Sequence, residues 1–424
     1  MANDFTKQET VLWEDMGAQF EDSLSLLNKT SKLDVSSTTL ERSGDVVWVP
    51  QPYVAQSFSG IDQTANFQKI TQLAVPATVG FERSAPWSMS AREARDAVQS
   101  GNFGKAALAR ISSDVNQALV DVASAQGTIV IPIATAAGDY DDIALADSYM
   151  NELGIAKEDR YMFLSSRDYN GMAGNLATAT RSFGNSKSDK AFEKGYVGMV
   201  AGFDTNKMDY NNRVTQAAGG AGITINTLVA GANYYTPVAR RVATTGEGSN
   251  VDNRFQTVTL SSNASVVAGD CFTIAGVYAC NLANKKASSQ LKTFRVISVG
   301  GANTVVISPA LISGQGGTDA ELQYQNCVVS TAANNSAIVF LNIKAANINP
   351  FWHKDAISLV PASYSLESGN GISVMKTTTA QGLTVCFSKQ TDINTLQTKY
   401  RFDVLFGVVN RAPEQSGILI FGQT

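Results

Sequence analysis

The sequence predicts an α+β protein whose chain is interrupted by an all-β module. Three observations carry this. Residues 90–127 hold a long helical stripe that runs straight into a short apolar strand. At about residue 222 the texture changes to short β-rich segments separated by turn residues, and near residue 340 it changes back. The sequence on both sides of that stretch mixes helical and strand patterns, so the β module is expected as an insertion and not as a tandem domain.

With 424 residues the chain is too long for one ordinary domain. A hydrophobic fraction of 44% and a charged fraction of 17% exclude an intrinsically disordered chain. The formal charge is −4 and no Lys/Arg block occurs, so the usual footprint of tight nucleic-acid binding is missing. The first residues, Met1-Ala2-Asn3-Asp4-Phe5, have neither the basic nor the apolar region of a signal peptide, and the most apolar stretch, 128–137, is far shorter than the roughly 20 residues a membrane helix needs. The expectation is a protein made and kept in a cytoplasm, with no membrane partner. Cys271, Cys280, Cys327 and Cys386 are scattered without a C-x-x-C pair and read as reduced, partly buried thiols. His353 is the sole histidine, in Phe351-Trp352-His353-Lys354-Asp355, and reads as a packing or hydrogen-bonding residue in a turn.

Residues 1–33 read as an arm. Val11, Leu12, Met16, Phe20, Leu24 and Leu27 recur at three- and four-residue spacings. Asp4, Glu9, Glu14, Asp15, Glu21 and Asp22 stand against Lys7 and Lys29. Two readings stay open: a terminal helix packed on its own domain, or an acidic amphipathic arm docking on a neighbour or a basic partner. Residues 34–50 end in a strand, Asp45–Pro50, closed by proline. Residues 51–85 are polar and weakly alternating, an extended loop or hairpin.

Ser90-Ala91-Arg92-Glu93 is a capping box that starts a long helix. Gly101 and Gly104 predict a kink or break. Leu108, Ile111, Val115, Leu119 and Val122 resume the stripe, and Gly127 is placed as the C′ residue. Thr128–Ile133 reads as a buried strand. Asp139, Asp141 and Asp142 precede a further helical pattern ended by Gly154; helix capping explains the acids more simply than a metal does. Residues 160–220 mix short helices and Gly/Asn-rich loops.

Within 222–340, segments near 225–230, 233–242, 254–262, 270–278, 292–299 and 303–308 predict strands of a small barrel or sandwich. Val296–Val299 and Thr304–Ile307 flank Gly300-Gly301-Ala302-Asn303 as a hairpin. Residues 341–424 are mixed, with Tyr400–Gly407 as a core strand. Walker, G-x-S-x-G, H-E-x-x-H and EF-hand motifs are missing, so no catalytic, cofactor-binding or metal-ligating residues are assigned and the chain is read as a non-enzyme. The glycine run Gly219-Gly220-Ala221-Gly222 precedes a strand and reads as a hinge or linker, not a phosphate cradle. A carbohydrate-active hydrolase would demand a conspicuous acid pair, which does not stand out.

Several segments resemble the coat proteins of short-tailed, lambdoid-type phages of enteric bacteria. They are Asn250–Ser261, Ala201-Gly202-Phe203-Asp204, Phe351-Trp352 with Asp355-Ala356-Ile357, Met375-Lys376-Thr377-Thr378, Asp392–Leu396, and Pro413-Glu414 through Thr424. They keep their order, and are strongest over 200–424. The resemblance implies the Hong Kong 97-like capsid fold with an inserted β-barrel domain. It implies an N-terminal arm at 1–33, a peripheral domain with spine helix at 34–50 and 86–130, and an extended E-loop at 51–85. An axial domain falls at 131–221 and 341–395, the inserted domain at 222–340, and a C-terminal return to the body at 396–424. The implied function is a major capsid protein that self-assembles, as hexamers and pentamers, into a procapsid and then a T=7 icosahedral shell around double-stranded DNA that it does not bind specifically. Implied partners are further copies of the chain, a scaffolding protein and a portal protein at one vertex. Glu14 and Asp15 match the positions that meet the scaffolding protein in relatives. Arg240 to Arg254 matches a loop that reaches a neighbouring subunit, but Ala243-Thr244-Thr245-Gly246 replaces most of its acids, leaving Glu247 and, further on, Asp252. Arg240 and Arg241 either pair with a neighbour or are simply solvated, and Arg240, Arg241 and Glu247 are the contact candidates. Gly101, Gly219, Gly220 and Gly222 are the hinge candidates for maturation. The alternative is a phage decoration or adhesin-type binding protein with an immunoglobulin-like domain, which would need the β module at a terminus.

Overall fold

The computed structural model describes residues 13, 20, 24, 26–33, 46–52, 57–64, 66–67, 70–93, 97–180, 190–191, 193–210, 212–218, 222–226, 234–330, 335–366 and 372–424. The chain divides into two compact units. The first comprises Met1–Trp48, Pro76–Asp121 and Ile357–Val409, the second Val49–Val75, Val122–Ala356 and Asn410–Thr424.

The first unit is organised by one sheet. Its strands run in the order Ser31–Lys32, Ile357–Ala362, Gln397–Asn410, Thr384–Asp392 and Ile372–Thr378, and Phe81–Ser90 also pairs antiparallel with Gln397–Asn410. Aromatic residues at alternate positions of these strands share one face. Phe387 and Phe402 stack at 4.8 Å, and Trp87 lies 5.0 Å from Phe402 and 5.4 Å from Tyr400. Trp13 stacks on Phe387 at 5.4 Å and on Phe402 at 5.5 Å. Trp13, Phe20, Leu24 and Leu27 are all buried. These arm residues are packed within the chain itself, which favours the first of the two readings for them.

Ser90 and Glu93 close the expected capping box. The Ser90 N–H and hydroxyl donate to Glu93 Oε2 at 2.9 and 3.0 Å, and the Glu93 N–H donates to Ser90 Oγ at 3.3 Å. Helix α1, Ala97–Gln126, runs through Gly101 and Gly104 without the predicted break. A helical glycine costs only about 1 kcal/mol relative to alanine, less than the burial of Leu108, Ile111, Val115 and Leu119 contributes on the same helix. Gly127 ends α1, but its backbone is not left-handed as a C′ glycine would be. It is needed for close approach: a Cβ there would lie 3.0 Å from the Ala123 carbonyl oxygen and 3.1 Å from Gly417 Cα.

The second unit contains two large sheets beside smaller two-stranded ones. One has the order Ile129–Pro132, Ser416–Ile420, Asn349–His353, Arg160–Ser165, Phe203–Met208, Gly198–Val200. Helices α2, Tyr140–Glu152, and α3, Ser166–Thr180, belong with it. Ile131, Ile143, Met150, Met162, Phe203, Phe351 and Leu419 meet in its core. Asp142 accepts from the N–H of Asp139 at 3.2 Å and of Gly138 at 3.3 Å, so the acid cluster caps α2.

The other sheet has the order Thr224–Ile225, Ser336–Phe340, Cys271–Cys280, Ala287–Val299, Thr304–Ser308, Gln256–Thr259. An antiparallel bridge between Ile225 and Leu260 joins its two ends, helped by the N–H of Asn226 on Thr259 O at 2.8 Å and of Ser261 on Thr224 O at 2.8 Å. The sheet therefore closes on itself as a barrel, filled by Ile225, Val258, Phe272, Ile274, Phe294, Val296, Val305, Ile307 and Ile338. Helix α4, Asp319–Tyr324, and the strands Cys327–Val329 and Ser336–Phe340 fall where the sequence patterns gave no element.

Candidate functional site

Three exposed features stand out. The first is a ribbon, Arg240–Val242 paired with Gly248–Asn250 as a two-stranded sheet of its own. Residues 240–247 are all exposed, and Val242 keeps 68% of its surface. Nothing in the ribbon fills a core. Its base is held by a buried asparagine: Asn253 Nδ2 donates to Val238 O and Val251 O, both at 3.0 Å, and its Oδ1 accepts from Val238 N–H and Tyr235 OH, both at 3.0 Å. Next to it, Arg254 pairs with Asp252 through Nε at 2.9 Å and Nη2 at 2.6 Å, and its Nη1 donates to Asn410 O at 2.7 Å. Asp252 is thus committed to Arg254. Arg240 Nη2 reaches Gly248 O at 3.0 Å across the ribbon, while Arg241 and Glu247 lie exposed on it.

The second feature is formed by residues 57–64, 66–67 and 70. Ile61, Phe67 and Ile70 project with 106%, 87% and 60% of their surface exposed. Its return is tied down: Gln51 N–H donates to Leu73 O at 2.8 Å, and Leu73 N–H donates to the Tyr324 hydroxyl at 3.1 Å. Leu73 is fully buried with Ala310, Ile312 and Tyr324. The third is the tip of the hairpin Thr384–Asp392/Gln397–Asn410, where Ile393 and Leu396 are exposed. Asp392 orders the tip by accepting from Asn394 N–H at 2.9 Å and Thr395 Oγ1 at 3.0 Å, and those bonds hold its carboxyl below the usual carboxylate range.

Among the other named residues, Gly222 sits in a turn at φ +103° and Gly101 lies inside α1. Glu14, Asp15, Gly219 and Gly220 lie outside the described residues. His353 Nδ1 accepts from Asp355 N–H at 3.3 Å, a turn role, beside Trp352, which is fully buried and stacked on Phe163 at 4.7 Å. The four cysteines are free and buried, and burial pushes the Cys280 thiol up to about 11. Among the described residues no group of three or more His, Cys, Asp or Glu is placed to hold a metal ion, and no helix is long and apolar enough to cross a membrane. The sequence patterns did not single out Asn253 or the exposed loop apolar residues. Asn253 stood only within the resembling segment Asn250–Ser261, with no role of its own.

A chain whose projecting features serve no core of their own is suited to meeting other chains. The model of the P22 coat protein (gene protein 5) family matches residues 1–422. Among solved structures, the chain is similar to one in the capsid of the cyanophage P-SCSP1u, at 14% identity over 93% of this chain and 87% of that one, with a TM-score of 0.44. It is similar to one in the bacteriophage PhiM1 mature capsid, at 11% identity over 93% and 86%, with a TM-score of 0.43. It is also similar to the CUS-3 coat protein I-domain, at 29% identity over 30% of this chain and 99% of that one, with a TM-score of 0.23. The class is that of phage capsid subunits. More particularly, the chain belongs to the P22 coat protein family. It is a structural major capsid protein, one of whose copies after another builds an icosahedral shell.

Proposed function

We propose that the chain is the coat subunit of a short-tailed, lambdoid-type phage of enteric bacteria, with a Hong Kong 97-like body and the barrel at 222–340 as an inserted domain. It forms hexamers and pentamers of a T=7 procapsid around a scaffolding protein in the host cytoplasm, leaves one vertex to a portal, and expands around double-stranded DNA. The chain carries no catalytic role. Its charge of −4 suits a wall that encloses DNA without gripping it.

The observation that carries this reading is the ribbon at 240–250: an exposed handle with a buried anchor at Asn253 and no role in its own core. Arg240, Arg241 and Glu247 are its contact residues toward a neighbouring subunit. Each exposed ion pair is worth only about 0–1 kcal/mol, but a closed shell repeats the contact at every equivalent interface, so small terms decide assembly. Gly222 is the hinge at the start of the barrel segment, joined by Gly219, Gly220 and, within the spine helix, Gly101. Glu14 and Asp15 receive the basic end of the scaffolding protein.

Two charge reversals test the contacts by co-expression with a scaffolding protein and electron microscopy. For R240E/R241E the expected result is a monomer with an unchanged melting curve and a several-fold drop in closed shells. Shells at wild-type yield would remove the ribbon from the interface. For E14K/D15K, loss of scaffold-dependent assembly is expected, and intact scaffold-dependent shells would refute the arm contact.

A further inference from the structure

The second unit brings a buried amine and a buried carboxamide into contact with a half-buried carboxylate. Lys292 stands on the strand Ala287–Val299, Asn326 follows α4, and Glu414 lies in the short turn Pro413–Gln415. Lys292 is 6% exposed and Asn326 3%. Lys292 Nζ donates to Glu414 Oε1 at 3.0 Å and to the Asn326 backbone oxygen at 3.1 Å. Asn326 Nδ2 donates to the same Glu414 oxygen at 2.5 Å and to Ala310 O at 2.8 Å. Asn326 Oδ1 accepts from Ile312 N–H at 3.2 Å. One carboxylate oxygen therefore joins the amine nitrogen to the carboxamide nitrogen, and the carboxamide carbon is one bond beyond. Buried Ala310, Ile312, Cys327 and Pro413 border the trio on one side, and Lys285, whose Nζ donates to Gln325 O at 3.0 Å, lines the cavity on the other.

We propose that Lys292 and Asn326 join in an intramolecular isopeptide bond, with Glu414 carrying the protons. The arrangement supplies each part that amide exchange needs. The Lys292 ammonium gives a proton to Glu414, which frees the lone pair on Nζ. Nζ attacks Asn326 Cγ, and the charge that develops on Oδ1 is held by the Ile312 N–H already bonded to it. Glu414 returns its proton to Nδ2. The Cγ–Nδ2 bond breaks, and the leaving ammonia takes the remaining amine proton away as ammonium. One amide replaces another, so no oxidant or other co-reactant is required. The fixed positions of the three side chains stand in for a bimolecular encounter. A cavity of about 160 Å³, lined by Asn326, Lys285, Ile312, Pro413 and Glu414, lies beside the trio and gives ammonia a way out. The bond would tie the strand Ala287–Val299 to the segment after α4, leaving Glu414 as a non-covalent partner.

Intact-mass spectrometry of the purified full chain under denaturing conditions tests this. The expected mass lies about 17 Da below that of the sequence, the loss of one ammonia. Protease digestion should then yield a branched peptide joining Lys292 to Asn326, and K292M and E414Q should both run at the full sequence mass. A folded wild-type chain at the full sequence mass overturns the proposal. So does a mass deficit without the branched peptide, or one that persists in K292M, because Asn326 would then have cyclised on its own backbone. Bond formation in E414Q at the wild-type rate removes Glu414 from the chemistry. Should a variant not fold, the wild-type peptide map decides alone.

Discussion

Gly417→Ala is expected to destabilise the second unit at or above the upper end of the roughly 1–3 kcal/mol that overpacking costs. Gly417 lies in the strand Ser416–Ile420, between Ile129–Pro132 on one side and Asn349–His353 on the other. It pairs in parallel with Ile129 and antiparallel with Phe351. A Cβ there would run into the Ile129 carbonyl oxygen and would lie 2.5 Å from Phe351 Cζ and 2.6 Å from Ile129 Cβ. Neither neighbour has room to yield. Ile129 is 3% exposed and Phe351 fully buried, with Phe203 set edge-on against its ring at 5.8 Å. One group is backbone and cannot change rotamer, so relief requires the strands to separate and lose ladder hydrogen bonds. Urea unfolding of the monomer measures it, with Gly301→Ala as the control. Nothing lies within 4 Å of a Cβ at Gly301, so that variant should stay within about 0.5 kcal/mol of wild type. A Gly417→Ala midpoint equal to that of Gly301→Ala would refute the packing argument.

What was legible in the sequence was local. The hairpin around residue 301 could be read because its turn chemistry sits beside its strands: Ala302 and Asn303 both adopt positive φ, at +53° and +61°, and Val299 pairs with Val305. The capping boxes at Ser90 and Asp139 were legible for the same reason, since both partners lie within one turn. Barrel closure was not, because Ile225 meets Leu260 only after the chain has made its intervening turns. The Lys292, Asn326 and Glu414 trio was not either, its members lying 34, 88 and 122 residues from one another in the chain. Glycine was misread where its role is spatial. Gly127 was placed as a left-handed cap, yet it is required by the approach of Gly417. Gly101 and Gly104 were read as a kink or break, and the break is absent because the buried face of the helix outweighs the weakness of two residues.

Of the candidate contact residues, only those on the ribbon can be weighed physically. Asp252 was counted with the charges of this region, but its carboxylate is bidentate to Arg254, whose guanidinium also lies over the Phe255 ring at 5.0 Å. That pair belongs to the anchor, so any charge offered outward at this place comes from Arg240, Arg241 and Glu247 and not from Asp252. The ribbon thus separates a buried polar base, which fixes its direction, from an exposed tip, which is free to vary in sequence without unfolding the unit.

Phe402→Ala is expected to cost about 3–5 kcal/mol, the usual range for removing a buried phenylalanine. It should also release the arm. Phe402 is fully buried in the first unit's sheet, with Phe387 at 4.8 Å, Trp87 at 5.0 Å and Trp13 at 5.5 Å. Trp13 belongs to a stripe in phase with Phe20, Leu24 and Leu27, and it is 5% exposed. Truncating Phe402 removes one of the two rings on which Trp13 stacks. Trp13→Ala removes the contact from the other side while leaving the Phe387–Phe402 pair in place. Stacking contributes about 0.5–1.5 kcal/mol per pair beyond area burial, so the two variants should differ in stability but share one effect. Limited proteolysis of the monomer should cut earlier within the first 30 residues in both, and denaturant unfolding should show the larger loss in Phe402→Ala. Protection of the arm at wild-type rates in Phe402→Ala would mean that Phe20, Leu24 and Leu27 hold it alone, and that the aromatic stack is a consequence of the packing and not its anchor.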